Sequence, residues 1–149
     1  MKKFGIWCDF KIQPESGWIK FFDKLEDVNI SECFINANAS QLSYLISLSK
    51  NYNFNIHGWV WTLNRPYDEN SSKNLDWYSV NKNGQNSYEY RPYVDYYQWL
   101  SPFSEGAREY IKDNISEIAS VDGLSSVHLD YVRYCDIILP KNLQKYYKI

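Results

Sequence analysis

Val121-Asp122-Gly123-Leu124-Ser125-Ser126-Val127-His128-Leu129-Asp130-Tyr131-Val132-Arg133-Tyr134 is the stretch on which the fold is read. Asp122-Gly123 is turn chemistry, a place where the chain reverses after a helix. A short run then alternates, with Val127 and Leu129 on one side and His128 and Asp130 on the other. That pattern predicts a strand with an apolar and a polar face, ending in a carboxylate with an arginine three residues on. In a barrel of parallel strands, a charged residue at a strand's C-terminal end reads as site chemistry.

Working outward, three earlier segments carry the same signal. Residues 4–9 predict a short buried strand, with Phe4, Ile6 and Cys8 opposite Gly5, Trp7 and Asp9. Residues 30–36 predict a second, with Cys33 and Ile35 opposite Phe34 and Asn36. Residues 54–62 predict a third, with Phe54, Ile56 and Val60 facing one way and His57, Trp59 and Trp61 the other. Between them lie two helical stripes. One starts at Ser16-Gly17 and carries Trp18, Phe21, Phe22, Leu25 and Val28; the other, capped by Ser40, carries Leu42, Leu45, Ile46 and Ser49. Strand, helix, strand, helix, strand is the βαβ pattern of a parallel sheet, with the helices on one side. The fourth strand spans residues 124–130.

The regularity breaks at residues 63–101, which are rich in Asn, Ser, Tyr and Gly and show no apolar period. A connection of that length is either functional or disordered. Order returns at Ser101-Pro102, read as an N-cap and a first-turn proline. Ala107, Ile111, Ile115, Ile118 and Ala119 then form a helical stripe leading to the Asp122-Gly123 turn. No convincing helix follows Tyr134, where Cys135–Ile149 forms a tail rich in Lys and Tyr.

At 149 residues the length suits one domain, 1–149. A net charge of −2 offers no basic face for nucleic acid or an anionic membrane. Three separated cysteines, with no histidine at ligand spacing, argue against a zinc site, so neither metal nor cofactor is expected. No leader or membrane span is visible, which makes a cytoplasmic location the default expectation. Aromatic residues are the outlier: 6 Trp, 14 Tyr and 7 Phe, more than an aliphatic core needs, which suggests rings on a groove or surface.

The stretch from Leu124 to Tyr134 resembles the fourth-strand signature of the glycosyl hydrolase-like family 10 proteins, (β/α)8 barrels taken to act on carbohydrates. Trp59-Val60-Trp61-Thr62-Leu63-Asn64, Asp76-Trp77-Tyr78-Ser79-Val80-Asn81 and Tyr97-Gln98-Trp99-Leu100-Ser101-Pro102 fit the same pattern. The resemblance runs over nearly the whole chain and over the first half of the family's barrel. It implies an α/β fold, the N-terminal half of a TIM barrel, and a truncated glycoside hydrolase-like protein acting on poly- or oligosaccharides.

Set side by side, the strands bring Asp9, Asn36, Trp61 with Asn64 just beyond, and Asp130 to one rim. Glycoside hydrolysis needs two carboxylates flanking the bond, and Asp130 is the candidate for one. Arg133 or His128 could hold it ionised, since a nearby cation lowers a carboxylate's pKa. Asp130–Arg133 could equally be a structural ion pair, and His128 a core histidine. Sugar rings pack their C–H faces on aromatics while hydroxyls seek amides and charges, which makes Trp77 and Tyr78 further candidates. About half of the aromatics between 63 and 101 are expected to pack the loop instead. A lone carboxylate leaves a competing expectation, a non-catalytic carbohydrate-binding module. Open first and fourth strand edges would favour a homodimer, completion by the missing half-barrel, or cover by the tail.

Overall fold

Four short segments alternate apolar and polar residues, and each forms a strand. In the computed structural model, which describes residues 3–136, these are β1 (Gly5–Asp9), β2 (Glu32–Asn36), β3 (Asn55–Trp61) and β4 (Ser126–Asp130). All pair in parallel, in the order β1-β2-β3-β4. The helices α1 (Glu15–Asp27), α2 (Ala39–Leu48) and α3 (Glu105–Ala119) occupy the crossovers that parallel pairing requires. The fold is α/β, a parallel sheet of βα units. Among the described residues, no helix is long and apolar enough to cross a membrane.

By its internal contacts the chain forms two compact units. The first is Met1–Thr62 with Glu109–Asp130; the second is Leu63–Arg108 with the chain from Tyr131. The first unit holds the main core. Cys33, Ile35, Ile56 and Val60 of the sheet meet Trp18, Phe22 and Leu25 of α1, Leu42 and Leu45 of α2 and Ile118 of α3. All three helices therefore share one sheet face, as the alternation predicts. Each large side chain here contributes about 1.5–3 kcal/mol by leaving water. Gly58 sits under the two later helices: a Cβ there would lie 2.7 Å from Ile118 Cγ2 and 3.3 Å from Leu42 Cδ1.

Several local expectations are corrected. β1 is not a buried strand: Phe4 and Trp7 are 56% and 50% exposed, because β1 lies at the sheet edge. At the other edge Leu129, expected on the apolar face, is 42% exposed. Asn38, not Ser40, caps α2; its Oδ1 accepts from Gln41 N at 2.9 Å while the Gln41 side chain accepts from Asn38 N, a capping box. Ser101-Pro102 forms a turn rather than a helix start. Ser104 accepts the first α3 bonds instead, from Arg108 N at its carbonyl and from Ala107 N at its hydroxyl. Val28 and Ala119 fall outside the buried stripes. Beyond Asp136, the expected cover by the tail lies outside the described residues.

The second unit replaces the expected loop with an ordered but aperiodic structure. It contains 3-10 turns at Ser71–Lys73 and Leu75–Trp77 and antiparallel bridges Asn64↔Trp99, Tyr78↔Leu100 and Val80↔Asn86. Short polar side chains fold the backbone back on itself. Asp68 Oδ1 accepts from the amides of Asn70 and Ser71, both at 3.0 Å, and Asn81 Oδ1 from those of Asn83 and Gln85. Gly84, at φ +77°, completes the second of these turns. Ser87 Oγ donates to Trp99 O at 2.7 Å and accepts from Trp99 N at 3.0 Å.

Candidate functional site

The sheet face away from the helices carries the alternate residues of every strand, and strand register decides which of them meet. Trp7 opposes Phe34 and Phe34 opposes His57. Their rings stack in series, with centroids 4.7 Å and 4.5 Å apart and interplanar angles of 11° and 19°. His128 sets its edge against Trp7 and Phe34. This histidine is thus a packing partner of the aromatic layer, one step below the rim.

Above that layer, at the C-terminal ends of the strands, lie the expected rim residues. Asn36 Nδ2 donates to Asp9 Oδ1 at 3.0 Å across the β1–β2 pair. Trp59 Nε1 donates to Asp130 Oδ2 at 3.1 Å, and the Trp59 and Trp61 rings meet edge to face at 6.0 Å. Asp9, Asn36, Trp61 and Asp130 therefore share one face and one end of the first unit. Asp9 and Asp130 stand on the two outer strands, and one layer below them Trp7 and His128 of the same strands meet with ring centroids 5.9 Å apart.

The other candidates belong to the second unit. Asn64 is fully buried, its Oδ1 accepting from Gln98 N at 3.0 Å. Trp77 packs on α3, so closely that a Cβ on Gly106 would lie 2.4 Å from its Nε1. Tyr78 is buried, with its hydroxyl 2.7 Å from Ser71 Oγ; burial raises its pKa. Arg133 pairs with Asp136, Nη1 to Oδ1 at 2.6 Å, and lies over the rings of Trp99 and Tyr131 at 5.2 Å from each. Tyr97 donates its hydroxyl to the other oxygen of Asp136. That hydrogen bond, with the Arg133 charge, holds the Asp136 carboxyl below the usual range.

Beside this network the second unit contains a cavity of about 500 Å³. Its lining includes Tyr90, Tyr93 and Trp99, together with Asn81, Arg91 and Asp136. Tyr90 and Tyr93 are half-exposed, whereas Trp99 is buried. Asp136 was missed because it lies outside any periodic element, and no local pattern ties it to Tyr97, 39 residues away. His57 and Glu32 were also missed as chemistry, since strand alternation marks their face but not their mutual contact. The chain matches no protein-family model and no curated protein.

Proposed function

We propose that this protein handles poly- or oligosaccharides as a glycoside hydrolase-like half of a (β/α)8 barrel, with Asp130 as a catalytic carboxylate. The observation that carries the reading is the rim of the first unit. A carboxylate at the C-terminal end of a parallel strand is aimed by an indole N–H, with a second indole beside it. Carboxylate for the glycosidic oxygen or anomeric carbon, and indole for the sugar's C–H face, is the pairing that glycoside chemistry uses. Four parallel strands in sequential order, with α1, α2 and α3 on one face, support the half-barrel reading.

The engagement of Asp9 by Asn36, which leaves Asp130 as the rim carboxylate paired with indoles, favours a second reading, carbohydrate binding without hydrolysis. The test is reducing-end release from a panel of polysaccharides, run alongside binding measured by tryptophan fluorescence. Under the first reading, Asp130→Asn abolishes turnover with the circular dichroism spectrum intact. Binding by the wild type without turnover selects the second. Neither binding nor turnover on any glycan removes both.

A further inference from the structure

The register that builds the rim also assembles a constellation at the opposite, N-terminal end of the same face. His57 opposes Ser126 across the β3–β4 pair, and its Nδ1 lies 2.7 Å from Ser126 Oγ. Its Nε2 lies 2.8 Å from Glu32 Oε2, on the first residue of β2. The ring is clamped by Phe34, stacked 4.5 Å away. Glu32 in turn receives Lys3 Nζ on Oε1 at 2.7 Å and Asn55 Nδ2 on Oε2 at 3.1 Å. The side chains of His57 and Glu32 are 12% and 15% exposed, whereas Ser126 is open to solvent.

The chemistry of each member follows from the next. Lys3 first, then His57 and Asn55, donate to Glu32 and hold its carboxyl at about 2, so it is an anion at neutral pH. An anion on Nε2 places a proton on that nitrogen. In neutral imidazole the other nitrogen, Nδ1, then carries the lone pair and accepts the Ser126 O–H. A hydroxyl, a base with its lone pair directed at it, and a carboxylate fixing the tautomer are the parts of a nucleophilic relay. A cavity of about 880 Å³ adjoins Glu32 and Asn55 at the same strand ends, on the carboxylate side of the cluster, with neither His57 nor Ser126 in its lining.

We propose that Ser126, His57 and Glu32 form a nucleophile–base–carboxylate relay that accepts the acyl group of a carboxylic ester. Ser126 Oγ bonds to the acyl carbon as its proton passes to His57 Nδ1. The ester C–O bond breaks, and the departing alcohol oxygen takes that proton. Water then adds to the acyl carbon, giving its proton to Nδ1, and Ser126 Oγ leaves and is reprotonated from there. The products are the free acid and the alcohol. This site is independent of Asp130, and its failure leaves the carbohydrate reading untouched.

A tagged fluorophosphonate tests the relay. Ser126 Oγ would displace fluoride from phosphorus, leaving a stable phosphonyl ester that peptide mass spectrometry locates. The expected result is label on Ser126 of the folded protein, no label in Ser126→Ala, and a rate at least about 100-fold slower in His57→Gln, the usual reach of a general base. Glu32→Gln, which keeps the size of the side chain, should also slow labelling, and it substitutes for His57→Gln if that variant does not fold. An unlabelled wild type, undiminished label in Ser126→Ala, or an unchanged rate in the folded base or carboxylate variant overturns the proposal and makes the cluster a packing network.

Discussion

The indole N–H of Trp59 reaches diagonally across the β3–β4 pair to the Asp130 carboxylate, although register sets Trp59 opposite His128 and Asp130 opposite Trp61. The diagonal matters because it aims a rim carboxylate across the strand pair. Trp59→Phe keeps the ring and deletes the donor. A hydrogen bond to a charged group is worth about 1.5–3 kcal/mol, and the half-exposed site points to the lower end. Urea unfolding should show that loss; an unaltered midpoint would show that the bond does not contribute.

Two glycines should respond to alanine for different reasons. At Gly58 the added methyl meets Ile118 and Leu42, and overpacking of this kind costs about 1–3 kcal/mol. At Gly84 nothing lies within 4 Å of the new Cβ, but φ is +77°, so the cost is backbone strain of about 1 kcal/mol. Crystal structures of the two variants should show displaced α2 or α3 side chains in the first and none in the second.

The capping box assigns the start of α2. Asn38→Ala should lose about 1 kcal/mol in chemical denaturation, whereas Ser40→Ala, which removes only a hydroxyl donating to Asn38 Oδ1 at 2.8 Å, should lose less, within about 0.5 kcal/mol. Equal losses would mean that the Ser40 hydroxyl is needed to hold the cap.

What the sequence made legible was periodicity. Alternation in Cys33–Asn36 and Ile56–Trp61 and the helical spacing of Phe22, Leu25, Leu42, Leu45 and Ile118 identified the core, the sheet and its polar face. The exposure of Phe4 and Leu129 was not legible from alternation, which marks faces and not edges, whereas the open first and fourth edges followed from the half-barrel reading. In the second unit, side-chain to backbone bonds such as those of Asp68 and Asn81 set the conformation, and these leave no period in sequence. Asp9, Asn36, Trp61 and Asp130 were found together for the same reason that the sheet was: each closes a strand on the same face.

Glu32 ties stability to acid. Its carboxyl is lowered from an ordinary 4.5 to about 2 by Lys3, His57 and Asn55. A depressed carboxylate favours the folded state fully above the unfolded value, and the advantage is lost as pH falls from about 4.5 through about 2. Denaturant midpoints measured across that window should fall more steeply for wild type than for Glu32→Gln. Parallel slopes would assign the acid sensitivity to other carboxylates.

Among the described residues, β1 and β4 each pair along one edge only, and Trp7 is half-exposed on the face away from the helices. Unpaired strand edges beside an aromatic surface favour self-association. Light scattering should show mass rising with concentration in the micromolar range, less so for Trp7→Lys. A constant monomer mass would argue against strand-edge pairing.

Neighbours in the sheet are not neighbours along the chain to the same degree. Asp9 and Asn36, paired across β1 and β2, are 27 residues apart, and Glu32 and Asn55, across β2 and β3, are 23 apart; His57 and Ser126, across β3 and β4, are 69 apart. Closing a loop three times longer costs about 1 kcal/mol more in chain entropy. The first three strands and their two helices should therefore zip locally, with β4 joining last, after the aperiodic segment has been gathered in. Asp130 and Ser126 both ride on that final strand. Any chemistry at either end of the sheet then switches on only when folding is complete, and a partly folded chain holds neither site.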